Sequence, residues 1–465
     1  MSDMKKVILL AIIICSLFYQ GCTTSADIYT QSGELKRPMT PINTDITDLP
    51  THQFSQNSIT ELKADIVDGV NLSLLYTLVK FNNPWLQQKI ADVHSAQGYK
   101  TQAGVLENPE MRIYADSLPL KSKQSINESR LGLRILQPID ISGGIAADKR
   151  ISQAELVKAS WNLIDAEQKI KILSSTAFFE YWIQTQIIDH MKTLKIAREK
   201  QLDIVENEVK SGFKTKYELL IHNRLKTDAE LLFEDELLLL EQAKNNIKHL
   251  IGDFTLTLGA PKFQDVFVTS KSNFSVDGNA FTDVDKERWI KDHPAYMSAT
   301  QQISIKEAEL IKFAGQHLKK LKVGIAYEFD NDGDNQRLNA LIEIPLPLWD
   351  FGIGRKYKAK AQVFIAQKHA DEVLARLNEE IENALFAFDT LKKKYDSING
   401  FLVQKRLMHQ EIVKGQASVT TFFDVLDSQA ELMEYEIKAL RIKLDLYKTY
   451  FYLFVSFKNK FPEFK

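Results

Sequence analysis

Few residues in this chain could carry chemistry, and none has the spacing of an enzyme site. Of its 465 residues two are cysteines, Cys15 and Cys22, so the sequence beyond residue 22 can form no disulfide, thiolate metal site or cysteine nucleophile. The nine histidines show no HxxxH or HxH spacing, which argues against a dedicated metal site. No nucleophile elbow, phosphate-binding loop, zinc-protease motif or dinucleotide motif occurs. The sequence therefore predicts neither an enzyme nor a bound cofactor.

One acidic loop invites a calcium interpretation. It reads Asp330-Asn-Asp-Gly-Asp334. A helix–loop–helix calcium site needs glycine at its sixth position and glutamate at its twelfth, whereas here glycine is fourth and Leu341 is twelfth. The composition favours an exposed hairpin loop, and no metal site is predicted.

The N-terminus carries an export signal. Lys5 and Lys6 precede an apolar run from Val7 to Tyr19 that is too short to cross a bilayer comfortably. We expect residues 1–22 to be a signal peptide. Gly21-Cys22 is similar to the cleavage site of bacterial lipoproteins, so Cys22 is a candidate for lipidation, and Thr23 after it would direct a lipidated form to the outer membrane. Ordinary cleavage a few residues later is the alternative.

Charge and proline distribution indicate the class of protein. A net charge of −2 with 26% charged residues shows no basic excess, so no nucleic-acid partner is expected. Two stretches, 139–260 and 348–461, contain no proline at all. Ordinary globular helices run about 8–20 residues, so such stretches predict unusually long helices.

The elements follow the same order twice, which defines two halves. Asn83-Pro84 and His293-Pro294 each open a helix, and each helix is followed by two segments of alternating polarity, typical of strands with two different faces. A proline-free helix then runs to a glycine, and a return helix follows. The predicted strands are 111–117 and 129–137, then 321–329 and 338–346. The predicted domains after the signal peptide are an N-terminal periplasmic segment, 23–70, and two repeats, 71–270 and 271–465.

The helix turns have their own signals. Gly212 and Gly415 supply the sharp turns, since glycine adopts positive φ readily. Thr215 and Ser418 lie three residues further on, where a hydroxyl can cap the return helix.

Four strands with one apolar and one polar face leave their edges unpaired. In lipid only closed barrels satisfy the backbone, so several chains would have to contribute strands to one barrel with a polar lumen. The alternative is a small sheet on a water-soluble helical protein. The predicted lumen residues are Arg112, Asp116, Arg130, Arg134, Lys322, Glu328 and Glu343.

With these elements in place, the sequence resembles the TolC family of outer-membrane efflux proteins over nearly all of the exported chain. The matching segments are Asn83-Pro84, Asn108-Pro109, Leu136–Asp140, Gly212 with Thr215 and Glu218, and Asp424-Val-Leu-Asp427. The segment Ile344–Gly354 is especially similar to the heavy-metal branch, the CzcC- and CusC-like proteins.

This resemblance implies a fold that is mainly α with a small β part. Each chain would give four transmembrane β-strands and long coiled-coil helices to a homotrimer, which forms a twelve-stranded barrel in outer-membrane lipid and a helical periplasmic tunnel. The implied partners are a periplasmic adaptor protein and an inner-membrane pump.

The resemblance also implies a gate at the helix turns, where Asp424, Asp427 and Glu218 match acidic positions of the family. Such acids form rings that favour cations. Asp424 lies nine residues after Gly415, where the family has about six. Either three residues are inserted in the turn, or the register is shifted and Asp427 lies one step beyond the usual acid.

The function predicted from these features is a passive outer-membrane exit duct of a tripartite efflux system, conducting heavy-metal cations. A drug-efflux or type I protein-secretion duct is the alternative within the class. A periplasmic coiled-coil scaffold is the alternative from a different class.

Overall fold

A computed structural model describes residues 56–116, 130–263, 283–315, 320–330, 336–344, 350–415 and 421–458. The signal peptide, Cys22, Ser418 and most of the acidic loop after Asp330 lie outside these residues. All described residues belong to one compact unit, Ser55–Lys465.

The chain is predominantly helical with one small sheet, as the sequence predicts. Helices α1 (Gln56–Asp68), α2 (Leu72–Asn82) and α3 (Pro84–Gln102) precede strands β1 (Glu110–Asp116) and β2 (Arg130–Asp140). Helices α4 (Gly144–Lys210) and α5 (Lys216–Ile251) complete the first half. The second half contains α6 (Asp283–Lys291), α7 (Pro294–Gly315), β3 (Lys320–Asp330), β4 (Gln336–Glu343), α8 (Ile353–Val413) and α9 (Phe422–Lys458).

The proline-free stretches form the two longest helices. Helix α4 has 67 residues, which corresponds to about 100 Å at 1.5 Å per residue. Helix α8 has 61 residues. Each begins directly after a glycine with positive φ, Gly143 or Gly352, so the strand-to-helix corner is built in the same way in both halves.

The strands form one antiparallel sheet in the order β1-β2-β3-β4. The two central strands come from different halves, and Ile135 of β2 lies opposite Ile325 of β3. Strands β1 and β4 therefore each have only one neighbour in the part of the sheet that the structure describes.

The helices form a layer with a clear order. Helix α4 packs against α3, α5, α7 and α9. Helix α8 packs against α7 and α9, and so lies at the opposite end of the layer from α3 and α5. An apolar stripe on α4 is buried there, including Phe178, Trp182, Ile183 and Ile187. This is the coiled-coil-like pairing that the family resemblance implies.

Candidate functional site

The register of the sheet separates two faces. Arg112 lies opposite Arg134 on β2, and Arg134 lies opposite Ala326 on β3. Lys322 lies opposite Glu343 on β4. Glu328 lies opposite Gly132, and Asp116 opposite Arg130. All seven residues predicted to line a lumen therefore occupy register positions on one face.

This polar face is held by ion pairs between strands. Arg134 lies 3.5 Å from the Glu343 carboxylate, and Lys322 lies 2.7 Å from Glu110. Each pair crosses from one half of the chain to the other, because Arg134 and Glu110 belong to the first half and their partners to the second. Exposed ion pairs of this kind stabilise the fold only slightly, so their main effect is to fix charges on this face.

Tyr114 also belongs to this face, although the sequence pattern alone does not predict it as a lumen residue. Its hydroxyl hydrogen-bonds to the Glu328 carboxylate two strands away, and the Arg134 guanidinium lies 5.1 Å from its ring centroid. The ring crosses Gly132, where an added Cβ would lie 2.4 Å from a ring carbon. A glycine opposite an aromatic residue in the alternating pattern is the signal that could have located this contact.

The opposite face is a continuous apolar surface. Met111 and Ile113 are 67% and 72% exposed, and Ile342 is 69% exposed. The register joins the strands across this face, since Ile113, Leu133, Tyr327 and Leu338 follow one another in adjacent positions. An apolar patch of this kind marks a surface that meets lipid or another protein rather than water.

The first helix turn joins α4 to α5. Gly212 has φ of 80°, and Thr215 caps α5. The Thr215 side chain accepts from the Glu218 backbone N–H, while the Glu218 carboxylate accepts from the Thr215 backbone N–H at 2.8 Å. This reciprocal pair is a capping box.

The second turn, between α8 and α9, has the same capping box, but its threonine lies six residues after the turn glycine instead of three. Gly415 has φ of 66°, and the Asp424 carboxylate accepts from the Thr421 backbone N–H at 2.8 Å. Ser418, the predicted cap, lies outside the described residues, and the capping hydroxyl observed at the start of α9 is that of Thr421. Glu218 and Asp424 therefore hold equivalent positions, and the additional residues lie in the turn rather than in a shifted register.

The gate candidates are all engaged within the chain. The hydrogen bonds from Thr215 lower the pKa of Glu218, and those from Thr421 lower the pKa of Asp424. Asp427 accepts from Arg198 at 3.3 Å and from Gln201 at 3.1 Å. These two residues of α4 were not identified from the sequence. The spacing of Asp424 and Asp427 places both near the tip, but their carboxylates serve a cap and an ion pair.

Arg198 is a largely buried charge at this end of the helices. Its side chain is only 10% exposed, and it also donates to Glu434 at 3.0 Å. It thus joins α4 of the first half to α9 of the second. A charge this buried requires partners, so Asp427 and Glu434 neutralise it.

A cavity of about 1390 Å³ lies where the sheet meets the helices. Its walls include Asp148 paired with Lys312 at 2.6 Å and Asp350 paired with Arg355 at 2.7 Å. Among the described residues, no group of three or more histidine, cysteine or acidic side chains is placed to bind a metal ion. The cavity therefore has no built metal site among the described residues, and both polar and apolar side chains line it.

No family model and no curated protein matches the sequence. Solved structures do match its fold. The outer membrane protein VceC from Vibrio cholerae superposes with a TM-score of 0.66 at 16% identity, over 83% of this chain and 95% of that chain. The Campylobacter jejuni CmeC outer membrane channel gives 0.61 at 14% identity, over 87% and 88%.

CusC, whose solved structures concern its folding and transmembrane channel formation, superposes with a TM-score of 0.63 at 13% identity. The match covers 84% of this chain and 93% of that chain. The chain therefore has the fold of these outer-membrane channels, and the predicted fold, mainly α with a small β part, is confirmed. None of the described helices has both the length and the apolar composition that a membrane-spanning helix requires.

Proposed function

We propose that the chain is one subunit of an outer-membrane exit duct in a tripartite efflux system. The observation that carries this proposal is the sheet, in which an exposed apolar face backs a face of arginine, lysine and glutamate. A water-soluble scaffold gains nothing from exposing such an apolar surface. A strand that separates lipid from a water-filled lumen requires this alternation.

The open edges support assembly from several copies. Strands β1 and β4 lack a second neighbour in the described sheet, and unpaired edges cannot persist in lipid. The helix layer also has two ends, with α3 and α5 at one and α8 at the other. Helices α5 and α8 carry exposed apolar residues, among them Leu238 and Phe386. Three copies would close both the sheet and the layer, in agreement with the trimer implied by the resemblance.

In this assembly the duct conducts passively, without chemistry. Arg112, Arg134, Lys322, Glu328 and Glu343 face the lumen, and the turns at Gly212 and Gly415 form the periplasmic end. An adaptor protein and an inner-membrane pump supply the substrate. Heavy-metal cations are the proposed substrate on the similarity of the segment Ile344–Gly354 alone, since the acids near the turns are bound in caps and ion pairs.

The oligomeric state tests the assembly. Leu238 is 59% exposed in one chain and would be buried against the neighbouring copy, so Leu238→Gln should weaken the trimer. Glu234→Gln, on an exposed polar position of the same helix, is the matched control. Mass measurement of the detergent-solubilised protein should give a trimer for wild type and control. A monomeric wild type that remains soluble without detergent would contradict the proposal.

The substrate is tested separately. A deletion strain should become sensitive to at least one of zinc, cobalt, cadmium or copper, and drug sensitivity alone would favour the drug-efflux alternative. A gate role of Asp424 and Asp427 beyond their contacts within the chain is a separate prediction, under which their replacement by alanine raises conductance and reduces cation selectivity in planar bilayers. If neither quantity changes, these carboxylates are not gate residues and act only within the chain.

A further inference from the structure

The two helix turns touch each other through one aromatic ring. Phe423, in the first turn of α9, lies between two side chains of the first half. The Lys214 ammonium is 4.2 Å from its ring centroid. The His222 imidazole meets it edge-on, with centroids 5.3 Å apart and an angle of 85° between the planes. This contact joins the α4–α5 turn to the α8–α9 turn.

One ring nitrogen of His222 is buried and has no acceptor, in the described part of the chain, to which a proton on it could be donated. Its Nδ1 is buried and has no hydrogen-bond partner among the described residues. A neutral imidazole tolerates this position at modest cost, because one unsatisfied nitrogen is a small penalty and the ring gains contact with Phe423. An imidazolium carries a donor on both nitrogens and a full charge, and burying these is far more costly.

Four charged side chains surround His222, and they lie on α4, on α5, on α9 and in the turn between α4 and α5. Lys214 in the turn and Arg198 on α4 repel an imidazolium, whereas Asp427 on α9 and Glu218 on α5 attract it. Both attractive groups already have partners, since Asp427 accepts from Arg198 and Glu218 accepts from Thr215. Lys214 is itself paired with Glu208 at 2.9 Å. Burial, reinforced by the two cations, lowers the pKa of His222 below its ordinary 6.5.

We infer that His222 is a proton-sensitive latch between the two turns, which holds the periplasmic end closed when neutral and releases Phe423 when protonated. The inference rests on the proposed function, because it assigns a regulation to the end of the same duct. A group whose pKa is lowered in the packed state stabilises that state above its free pKa and loses this contribution as pH falls. Acidification therefore favours the open end.

Conductance of the purified full chain in planar bilayers between pH 7.5 and 5.5 tests the latch. Wild type should conduct little at pH 7.5 and severalfold more at pH 5.5, limited to about tenfold per pH unit for each titrating imidazole. His222→Phe keeps an aromatic partner for Phe423 and cannot take up a proton, so its conductance should stay low across the range. His369→Asn, at an exposed position of α8, should titrate like wild type.

The outcomes separate the latch from the duct. No conductance at any pH would overturn the duct and the latch together. A wild type that conducts with the same pH profile as His222→Phe would overturn the latch and leave the duct intact. If His222→Phe does not assemble, His222→Gln serves instead, because its conductance must also be independent of pH, although higher than that of the phenylalanine variant.

Discussion

The two halves of the chain share a backbone plan but differ in the side chains that complete it. Each half turns from strand to helix at a glycine of positive φ, and each return helix starts with a threonine–acid capping box. Helix α3 is capped by Asn83, whose side chain accepts from the Leu86 N–H, whereas at the start of α7 in the second half His293 accepts from the Ala295 N–H. The two halves thus form their corners and return-helix caps in the same way. They differ in the length of the second turn and in the titratable His293, which takes the place of Asn83.

The chain has two hydrophobic cores, and these differ more strongly than the turns do. Around α4 and α9 the core is aromatic, and Phe179 stacks on Tyr447 with ring centroids 4.5 Å apart and also contacts Phe178, Trp182 and Phe451. Around α8 it is mainly aliphatic, with Val373, Leu377, Ile381 and Leu446. The core between α4 of the first half and α9 of the second therefore concentrates its stabilisation in a few rings, and the core around α8 spreads it along a helix.

The largest expected effect comes from breaking the aromatic core. Phe179→Ala removes a fully buried ring and should destabilise the protein by about 3–5 kcal/mol. Phe388→Ala is the counterpart on α8, with a single tilted contact to Tyr450, and should cost less because the aliphatic site can collapse around the void. Thermal unfolding of both variants followed by circular dichroism gives the comparison. Equal losses would mean that the aromatic contacts add nothing beyond burial.

The next effect concerns the two turns. Thr215→Ala and Thr421→Ala each remove a capping hydroxyl and should each cost about 1 kcal/mol of stability. The two losses should be equal because Thr421 caps α9 in the same way that Thr215 caps α5. Ser418→Ala is the control and should leave the unfolding temperature unchanged. A loss for Ser418→Ala instead of Thr421→Ala would restore the original assignment.

The sequence predicts the backbone plan well because that plan depends on local signals. Alternation identifies the four strands and the polar face, and the absence of proline identifies α4 and α8. The partners of the acids near the turns could not be predicted, because Arg198 and Asp427 are far apart in sequence and meet only when α4 packs on α9. The sequence does not predict the cap at Thr421, because the three-residue spacing from glycine to capping hydroxyl in the first turn does not apply to the longer second turn.

The smallest expected effect distinguishes the two helix caps by pH. Asn83 does not titrate, whereas burial lowers the pKa of His293, with Lys169 and Arg376 acting in the same direction against Asp165 and Glu380. Because the neutral form is favoured in the folded state, the contribution of His293 is complete above its unfolded pKa of 6.5 and is lost as pH falls below it. His293→Asn should therefore reduce the loss of stability between pH 7.5 and 5.5 by up to about 1 kcal/mol, the typical value of one N-cap. Unfolding temperatures of wild type, His293→Asn and the exposed-site control His369→Asn at both pH values measure this difference. Parallel pH dependence in all three proteins would show that the second cap, like the first, does not respond to protons.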